Sequence, residues 1–177
     1  MTKSRGRPIV IDASVARSAG QSEHPISSAC RQFLEQVLRI CHRMVSTEAI
    51  RDEWKRHASR YARMWQATMY ARRKVDALLS EPRDDSLRDA MGRLAASPKA
   101  AQSMLKDAHL LEAARAASAP VASCDDEARS YFWELARSRR EVAEVVWVNP
   151  ANSEERCIDW LRDGAPSESG RRLGCGA

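Results

Sequence analysis

Four acidic residues stand where their side chains can converge on one site. Asp12 and Asp125 each follow a short apolar run. Glu53 and Asp107 lie within segments whose apolar residues recur at helical spacing. Carboxylates gathered in one pocket repel one another unless a hard divalent cation offsets their charge. The four residues therefore predict a metal-dependent site for hydrolysis of phosphodiester bonds.

The apolar runs predict buried parallel strands, which would bring two of these acids together. Such runs occur at residues 8–11, 121–124 and 145–148, and the short segment 43–46 could be a further strand. Segments of helical periodicity separate them, which predicts right-handed crossovers and a parallel sheet covered on both faces. Open sheets of this kind bind ligands outside the carboxyl ends of their strands. Asp12 and Asp125 are predicted to project at that edge.

Asp107 is the most informative of the four acids. It lies in an apolar-rich helix between Met104 and Leu111, although Asp is a poor residue for a helix interior. A buried carboxylate costs several kcal/mol unless a cation or hydrogen-bond donors satisfy it. A metal ion is the simplest partner, and Lys106 or the end of a neighbouring helix is the alternative.

The acidic residue of the second segment has two candidates. If Ile50 and Trp54 face the core, Glu53 stays near that face. Asp52 then points about 160° away from Trp54, at about 100° per residue. Glu53 is the favoured ligand and Asp52 the alternative.

Several plainer explanations compete with a metal site. Asp12 could form a turn, and Asp125 could cap the helix that follows it. Two enzyme classes with strand-end aspartates are disfavoured. A phosphatase with an aspartyl nucleophile would have a second Asp at the position of Ser14. A receiver domain would have paired acids near the first strand and a Lys after a late strand, and the chain has neither.

Positive charge is concentrated in one segment. The chain has a net charge of +5, and residues 51–74 contain eight Lys or Arg against two acids. A basic stripe beside an acidic pocket fits a polyanionic substrate, whereas a solvated helix face is the ordinary alternative. The residues predicted to contact nucleic acid are Arg51, Lys55, Arg56, Arg60 and Arg63.

Aromatic and histidine side chains nearby have two interpretations. Trp54, Trp65, Tyr61 and Tyr70 could stack on bases, although core packing is favoured for the tryptophans. His57 and His109 could contact substrate, but structural roles are favoured for both.

Helix and domain limits are predicted less sharply than the strands. One long basic helix is expected to begin at a cap on Ser46 or Thr47 and to run to Val75 or beyond. The Gly-, Ser- and Pro-rich composition after Gly164 predicts a loose end. We therefore expect a single domain over residues 1–165 and a flexible tail over residues 166–177.

The sequence predicts a cytoplasmic protein. No apolar run approaches the roughly 20 residues of a transmembrane helix. The basic start, Met1–Arg7, leads into a strand-like run and not into the apolar region of a signal peptide. The five cysteines contain no C-x-x-C pair, which indicates free thiols and neither a zinc site nor a disulfide framework.

Taken together, the motifs resemble the PIN-domain nucleases, a family that includes the toxin halves of many bacterial toxin–antitoxin pairs. The matching stretches occur in the order of the family, and none is specific alone. They are Ile9–Val15, Val45–Trp54, Lys106–Ala114 and Pro120–Arg129, followed by the strand-like Val145–Pro150.

The resemblance implies a three-layer α/β/α sandwich with a central parallel sheet of about four to five strands. It also implies Mg²⁺ or Mn²⁺ held by acidic ligands, with Ser14 and Ser123 in support. The implied activity is that of a ribonuclease, with an antitoxin protein and a second copy of the chain as further partners. The alternative is a non-catalytic module of the same fold that binds nucleic acid or protein. The implied ligands are Asp12, Glu53, Asp107 and Asp125.

Overall fold

A five-stranded parallel sheet forms the centre of the computed structural model, which describes residues 6–175. Met1–Arg5, on which part of the predicted localisation depends, and Gly176–Ala177 lie outside the described residues. The strands are β1 (Pro8–Ile11), β2 (Arg43–Ser46), β3 (Val75–Ala77), β4 (Val121–Ala122) and β5 (Trp147–Val148).

The strand order, β3-β2-β1-β4-β5, creates a switch point beside β1. The chain first builds outward from β1 through β2 to β3, and then returns to the other side of β1 to add β4 and β5. All neighbouring strands are parallel. Crossovers leave in opposite directions at this point, which opens a crevice between the carboxyl ends of β1 and β4.

Helices connect the strands and cover both faces of the sheet. In the described residues they are α1 (Ala13–Ser18), α2 (Pro25–Ile40), α3 (Glu48–His57), α4 (Arg60–Ala71), α5 (Asp85–Leu94), α6 (Pro98–Ala117), α7 (Asp126–Ala136), α8 (Arg140–Ala143) and α9 (Cys157–Arg162). Short 3-10 turns also occur at Ser153–Glu155, Ser169–Arg171 and Leu173–Cys175.

Burial along β1 shows that the sheet lies between two layers. Ile9, Val10 and Ile11 point alternately to opposite faces, and all three are fully buried. Helix α2 packs on α1, α4 and α9, whereas α6 packs on α5 and α7. The prediction of a three-layer α/β/α sandwich is confirmed.

The single long helix predicted from Ser46 or Thr47 to Val75 is wrong. Thr47 caps α3, but the helix ends at His57 and α4 starts after Ser59. The Ser59 hydroxyl caps α4 through the amide of Ala62, and its own amide donates to the carbonyl of Ala16. These contacts with α4 and with the end of α1 favour a break at this position.

The strand β3 was not predicted, because its three residues include an acid and follow a strongly helical segment. Helix α4 ends where Arg73 takes a positive φ of 55°. The amide of Lys74 then donates a hydrogen bond to the carbonyl of Met69, and the amide of Met44 donates one to the carbonyl of Lys74. Asp76 of β3 forms an ion pair with Arg43 of β2. The edge strand is therefore specified by its neighbour more than by its own apolar residues.

The described part of the predicted tail packs on the domain. Leu173 is buried, with 1% of its surface exposed, and its amide donates to the carbonyl of Val145 at 2.9 Å. Val146 and Arg172 form an isolated antiparallel bridge. Residues 166–175 thus contribute an apolar side chain and backbone hydrogen bonds beside β5.

Within residues 6–175, no helix combines the length and the hydropathy that are needed to cross a lipid bilayer.

We expect Leu173→Ala to lower the free energy of unfolding by about 2 to 4 kcal/mol, because a buried leucine leaves a cavity when it is truncated. Urea denaturation of the full chain measures this change. Leu79→Ala is the matched control, since Leu79 is fully exposed, and it should change stability by less than about 0.5 kcal/mol. Equal stability of the two variants would show that the C-terminal segment contributes nothing to the core.

Candidate active site

The four predicted carboxylates line one pocket at the carboxyl edge of the sheet. Asp12 follows β1, Glu53 belongs to α3, Asp107 to α6, and Asp125 precedes α7. The pocket has a volume of about 140 Å³. Four elements that are distant in sequence thus bring their acids together beside the switch point.

Asp12 is held by two serine hydroxyls. Ser14 Oγ and Ser123 Oγ both donate to Asp12 Oδ2, at 2.5 Å and 2.8 Å. The same hydroxyls accept from backbone amides, Ser14 from Cys124 and Ser123 from Asp125. No residue in the range 6–175 donates a hydrogen bond to Asp12 Oδ1. The two serines therefore fix the orientation of this carboxylate and leave one of its oxygens free.

Asp125 has the capping role that was the plainer prediction, and it also lines the pocket. Its Oδ1 accepts from the amide of Ala128 at 2.9 Å, which caps α7. Among the described residues, no donor reaches its Oδ2. Capping uses one oxygen, so a second remains for a ligand.

Glu53 lies beside a buried histidine. His109 Nε2 is 3.4 Å from Glu53 Oε2, and His109 Nδ1 lies 3.0 Å from the carbonyl of Lys106. The first contact is an ion pair and not an aligned hydrogen bond, since Nε2 has no hydrogen-bond partner in the described residues. Burial alone would raise the pKa of Glu53, but the contact with His109 and the charges of Lys106 and Arg56 hold it below its ordinary value.

The same contact acts on the histidine in the opposite direction. Burial alone would lower the pKa of His109, but Glu53, the Lys106 carbonyl and Asp107 raise it above the ordinary value. The contact with Glu53 thus favours the charged form of His109, against the effect of burial. This agrees with a structural role for His109, the role favoured from sequence.

Asp107 has the most unfavourable surroundings of the four acids. Only 7% of its surface is exposed, and its nearest cation is Lys106 Nζ, at 3.9 Å from Oδ1. No donor within residues 6–175 forms a hydrogen bond with the carboxylate. Burial is the largest cause that raises its pKa, Lys106 lowers it, and the charges of Asp12, Asp125 and Glu53 raise it, so that the pKa is about 6. The carboxylates thus interact through space, as their positions in the sequence predict.

The structure places the two candidates of the second motif differently. Glu53 is half-buried and lines the pocket, whereas Asp52 is exposed and lies outside it. The reason is the one anticipated from helix geometry, because Ile50 and Trp54 are buried and set the inward face of α3.

Three further cationic or titratable side chains line the pocket, and of these only His57 was considered from sequence as a substrate contact. They are Arg17 of α1, His57 of α3 and Lys106 of α6, and all three are exposed. Sequence favours a structural role for His57 and offers Lys106 only as a partner of Asp107. The helical spacing of Glu53 and His57, four residues apart, is the one local signal that could have placed His57 at the site.

The predicted basic residues do not form one continuous stripe. All five are exposed, but Arg51, Lys55 and Arg63 line a separate cleft between α3 and α4. Arg56 is close enough to Glu53 to lower its pKa. Arg60 lines neither the carboxylate pocket nor the α3–α4 cleft.

The two tryptophans of this region pack in the core, as favoured from sequence. Trp54 and Trp65 stack with ring centroids 5.9 Å apart. Their indole N–H groups donate to the carbonyls of Ile11 and Leu34. The Trp54 bond ties α3 to the end of β1 and thereby sets the position of Glu53 relative to Asp12.

The carboxylates share the pocket without forming a closed ligand set. Within residues 6–175, no three Asp, Glu, His or Cys side chains stand close enough together to hold a metal ion as they are placed. The donor chemistry nevertheless fits Mg²⁺ or Mn²⁺, which prefer carboxylate oxygens. Mg²⁺ usually keeps several waters and needs only one or two direct carboxylates. At about 30 Å³ per water, the pocket has room for an ion with about three or four waters.

No protein-family model matches the chain, and no curated protein sequence matches it. The resemblance to the PIN-domain family therefore depends on the four motifs and on the arrangement of their acids.

We expect Asp107→Asn to flatten the dependence of stability on pH. The pKa of Asp107 is raised to about 6, so its contribution to stability is fully present below its ordinary pKa, near 4, and is lost as the pH rises through about 6. With chelator present, the variant should lie within about 0.5 kcal/mol of the wild type near pH 4 and exceed it by about 3 kcal/mol at pH 7.5, since each pKa unit corresponds to about 1.4 kcal/mol.

Urea denaturation at both pH values measures the difference. Asp52→Asn is the control, because it removes an exposed carboxylate of α3 that lies outside the pocket, and it should change neither value. A wild-type advantage over Asp107→Asn at pH 7.5 would contradict the repulsion described here.

Proposed function

We propose that the protein is a metal-dependent endonuclease of the PIN type that hydrolyses phosphodiester bonds in RNA. The observation that carries the proposal is the placement of Asp107. It is a buried carboxylate without a hydrogen-bond donor in the described residues, and it shares a pocket with Asp12, Glu53 and Asp125. A divalent cation supplies the charge that such a pocket lacks.

The four carboxylates are the proposed ligands, directly or through water. When bound, Mg²⁺ or Mn²⁺ would act as a Lewis acid that lowers the pKa of water and offsets charge on the scissile phosphate. The serines keep Asp12 in one orientation, and the cap keeps Asp125 in another. Preorganised ligands of this kind reduce the motion that must be restricted on binding.

Exposed cations at the pocket are suited to hold the substrate. Arg17 and Lys106 lie on its walls, and Arg56 lies close to Glu53. They can bind the nonbridging oxygens of phosphates on either side of the scissile bond, as guanidinium and ammonium groups commonly do. His57, also exposed at the pocket, can donate a hydrogen bond to the same backbone.

The proposed substrate, location and partners are based on the net charge of the chain and on its resemblance to the PIN-domain family. The net charge of +5 favours a polyanion. RNA in preference to DNA, a cytoplasmic location, an antitoxin partner and a homodimer are implied by the PIN family, and we propose them on that basis.

A second candidate function is a non-catalytic binding module of the same fold. The observation that favours it is the set of structural contacts made by the acids. Asp125 caps α7, Glu53 pairs with His109, and the described residues contain no closed set of metal ligands. On this view the pocket would be a by-product of helix capping and ion pairing.

Metal dependence separates the two candidates. We expect cleavage of single-stranded RNA in Mn²⁺ or Mg²⁺, complete loss in EDTA, and recovery when Mn²⁺ is restored. Gel analysis of an end-labelled RNA and of a DNA with the same sequence measures activity and substrate class. Preparations that stay inactive with every divalent ion, while remaining folded, would favour the binding module.

We expect Asp12→Asn and Asp107→Asn each to reduce cleavage by at least about 100-fold, because each removes a ligand whose loss costs several kcal/mol in the transition state. Asp52→Asn should retain nearly full activity. Thermal unfolding shows whether the variants remain folded. Retention of full activity by either pocket variant would refute the proposed site.

Ser123→Ala should weaken activation by Mn²⁺ by about 10- to 100-fold, since Ser123 orients the ligand Asp12 and does not itself contact the ion. The concentration of Mn²⁺ that gives half-maximal cleavage measures this effect. High Mn²⁺ should restore most of the activity, which distinguishes an orienting serine from one required for chemistry.

A further inference from the structure

Helix α3 separates two surfaces of opposite charge. At about 100° per residue, Glu53 and His57 fall on one flank of the buried positions Ile50 and Trp54. Arg51 and Lys55 would then fall on the other flank. The structure shows this division, since Glu53 and His57 line the carboxylate pocket whereas Arg51 and Lys55 line the α3–α4 cleft.

The α3–α4 cleft has a volume of about 330 Å³. Arg51 and Lys55 contribute from α3, and Arg63, Gln66 and Tyr70 contribute from α4. The buried Trp54 also borders it, and no acidic residue of the described range lines it. A volume of this size suits a small ligand group or a single nucleotide.

The cations of this cleft form no ion pairs in the described residues. Arg51, Lys55 and Arg63 have no carboxylate within 4.0 Å, the distance that defines such a pair. The side chain of Arg63 reaches only the carbonyl of Lys55, at 3.4 Å. Many arginines elsewhere do pair with acids, among them Arg31, Arg43, Arg88, Arg115, Arg129 and Arg139.

An aromatic ring lies beside these cations. Tyr70 is 45% exposed, and its hydroxyl lies 3.4 Å from Ser46 Oγ at the end of β2. The contact anchors one end of the ring. An exposed aromatic face bordered by unpaired cations is the combination that binds single-stranded nucleic acid, because bases stack on the ring while the cations bind phosphates.

We propose that the α3–α4 cleft is a second nucleotide subsite, which binds a nucleotide of single-stranded RNA outside the bond that is cleaved. The inference depends on the proposed function. It adds the length of RNA that the protein binds. Arg51, Lys55 and Arg63 bind the phosphates, and the base stacks on Tyr70.

The position of the cleft sets the length of RNA that can use it. An α-helix with its side chains is about 10 to 12 Å across, and the two sites lie on opposite flanks of α3. Arg56 lies on the exposed side of the helix between them. An RNA that fills both sites must therefore be several nucleotides longer than one that fills only the carboxylate pocket.

An acidic peptide is the other ligand that three cations could attract. The aromatic ring and the amide of Gln66 favour RNA, because a stacking surface and an amide suit a base and add little to binding of carboxylates. A polyglutamate peptide is therefore included as a competitor in the experiment.

Binding of labelled RNA in EDTA tests the subsite without cleavage. Fluorescence anisotropy of the full chain is measured with a 3-nucleotide and a 12-nucleotide single strand at several salt concentrations. We expect Arg51→Ala with Arg63→Ala to weaken binding of the 12-nucleotide strand about tenfold or more. Its slope of log affinity against log salt should fall by about 1.4, at about 0.7 for each phosphate of a single strand that is no longer neutralised. The 3-nucleotide strand should bind more weakly than the longer strand and should also lose affinity in this variant, because it is long enough to occupy the α3–α4 cleft alone.

The matched control is Arg39→Ala with Arg93→Ala. Both residues are exposed, and neither forms an ion pair in the described residues, so this double variant loses the same charge from surfaces outside both sites. It should bind the longer strand nearly as well as the wild type. Tyr70→Ala should weaken binding about tenfold, whereas Tyr70→Phe, which keeps the ring, should not.

Each outcome supports or overturns the subsite. Equal losses in the two double variants, no RNA binding by the wild type, or preferential binding of polyglutamate would overturn it. If the wild type cleaves RNA while Arg51→Ala with Arg63→Ala binds like the wild type, the subsite alone fails. If no metal supports cleavage but binding depends on Arg51, Arg63 and Tyr70, the nuclease function fails and the cleft is an RNA-binding site without a neighbouring cleavage site.

Discussion

Repulsion among like charges in a poorly solvated pocket is the constraint on which the site depends. Asp107 is nearly buried, and burial raises its pKa most, with smaller contributions from the charges of Asp12, Asp125 and Glu53. Folding tolerates this arrangement because other interactions offset part of the charge. Ser14 and Ser123 donate to Asp12, and His109 pairs with Glu53. The remaining imbalance gives the pocket its affinity for cations in our proposal.

The parallel sheet fixes where these carboxylates lie relative to one another. Because the strand order reverses at β1, the carboxyl ends of β1 and β4 face a common crevice. Asp12 and Ser123 meet across it through a hydrogen bond. Helices α3 and α6 supply the other two acids, and the bond from Trp54 to the Ile11 carbonyl holds α3 against the end of β1.

Sequence was informative where a residue's place follows from its own element. Short apolar runs predicted β1, β4 and β5, the segment 43–46 was a possible strand and is β2, and the inward face of α3 selected Glu53 over Asp52. It was less informative where position depends on distant contacts. The break before α4 involves a hydrogen bond from Ser59 to Ala19, 40 residues away. Because that break was not predicted, the basic residues of α3 and α4 were expected to form one stripe and not two separate surfaces.

The order in which the acids occur along the chain has a consequence for biosynthesis. Asp12 and Glu53 leave the ribosome before Asp107 and Asp125, because they precede them in the sequence. Ser123 reaches Asp12 only where β4 lies beside β1. A nascent polypeptide therefore carries only part of the pocket until Asp125 has been translated, and products truncated before Asp107 lack half of its acids.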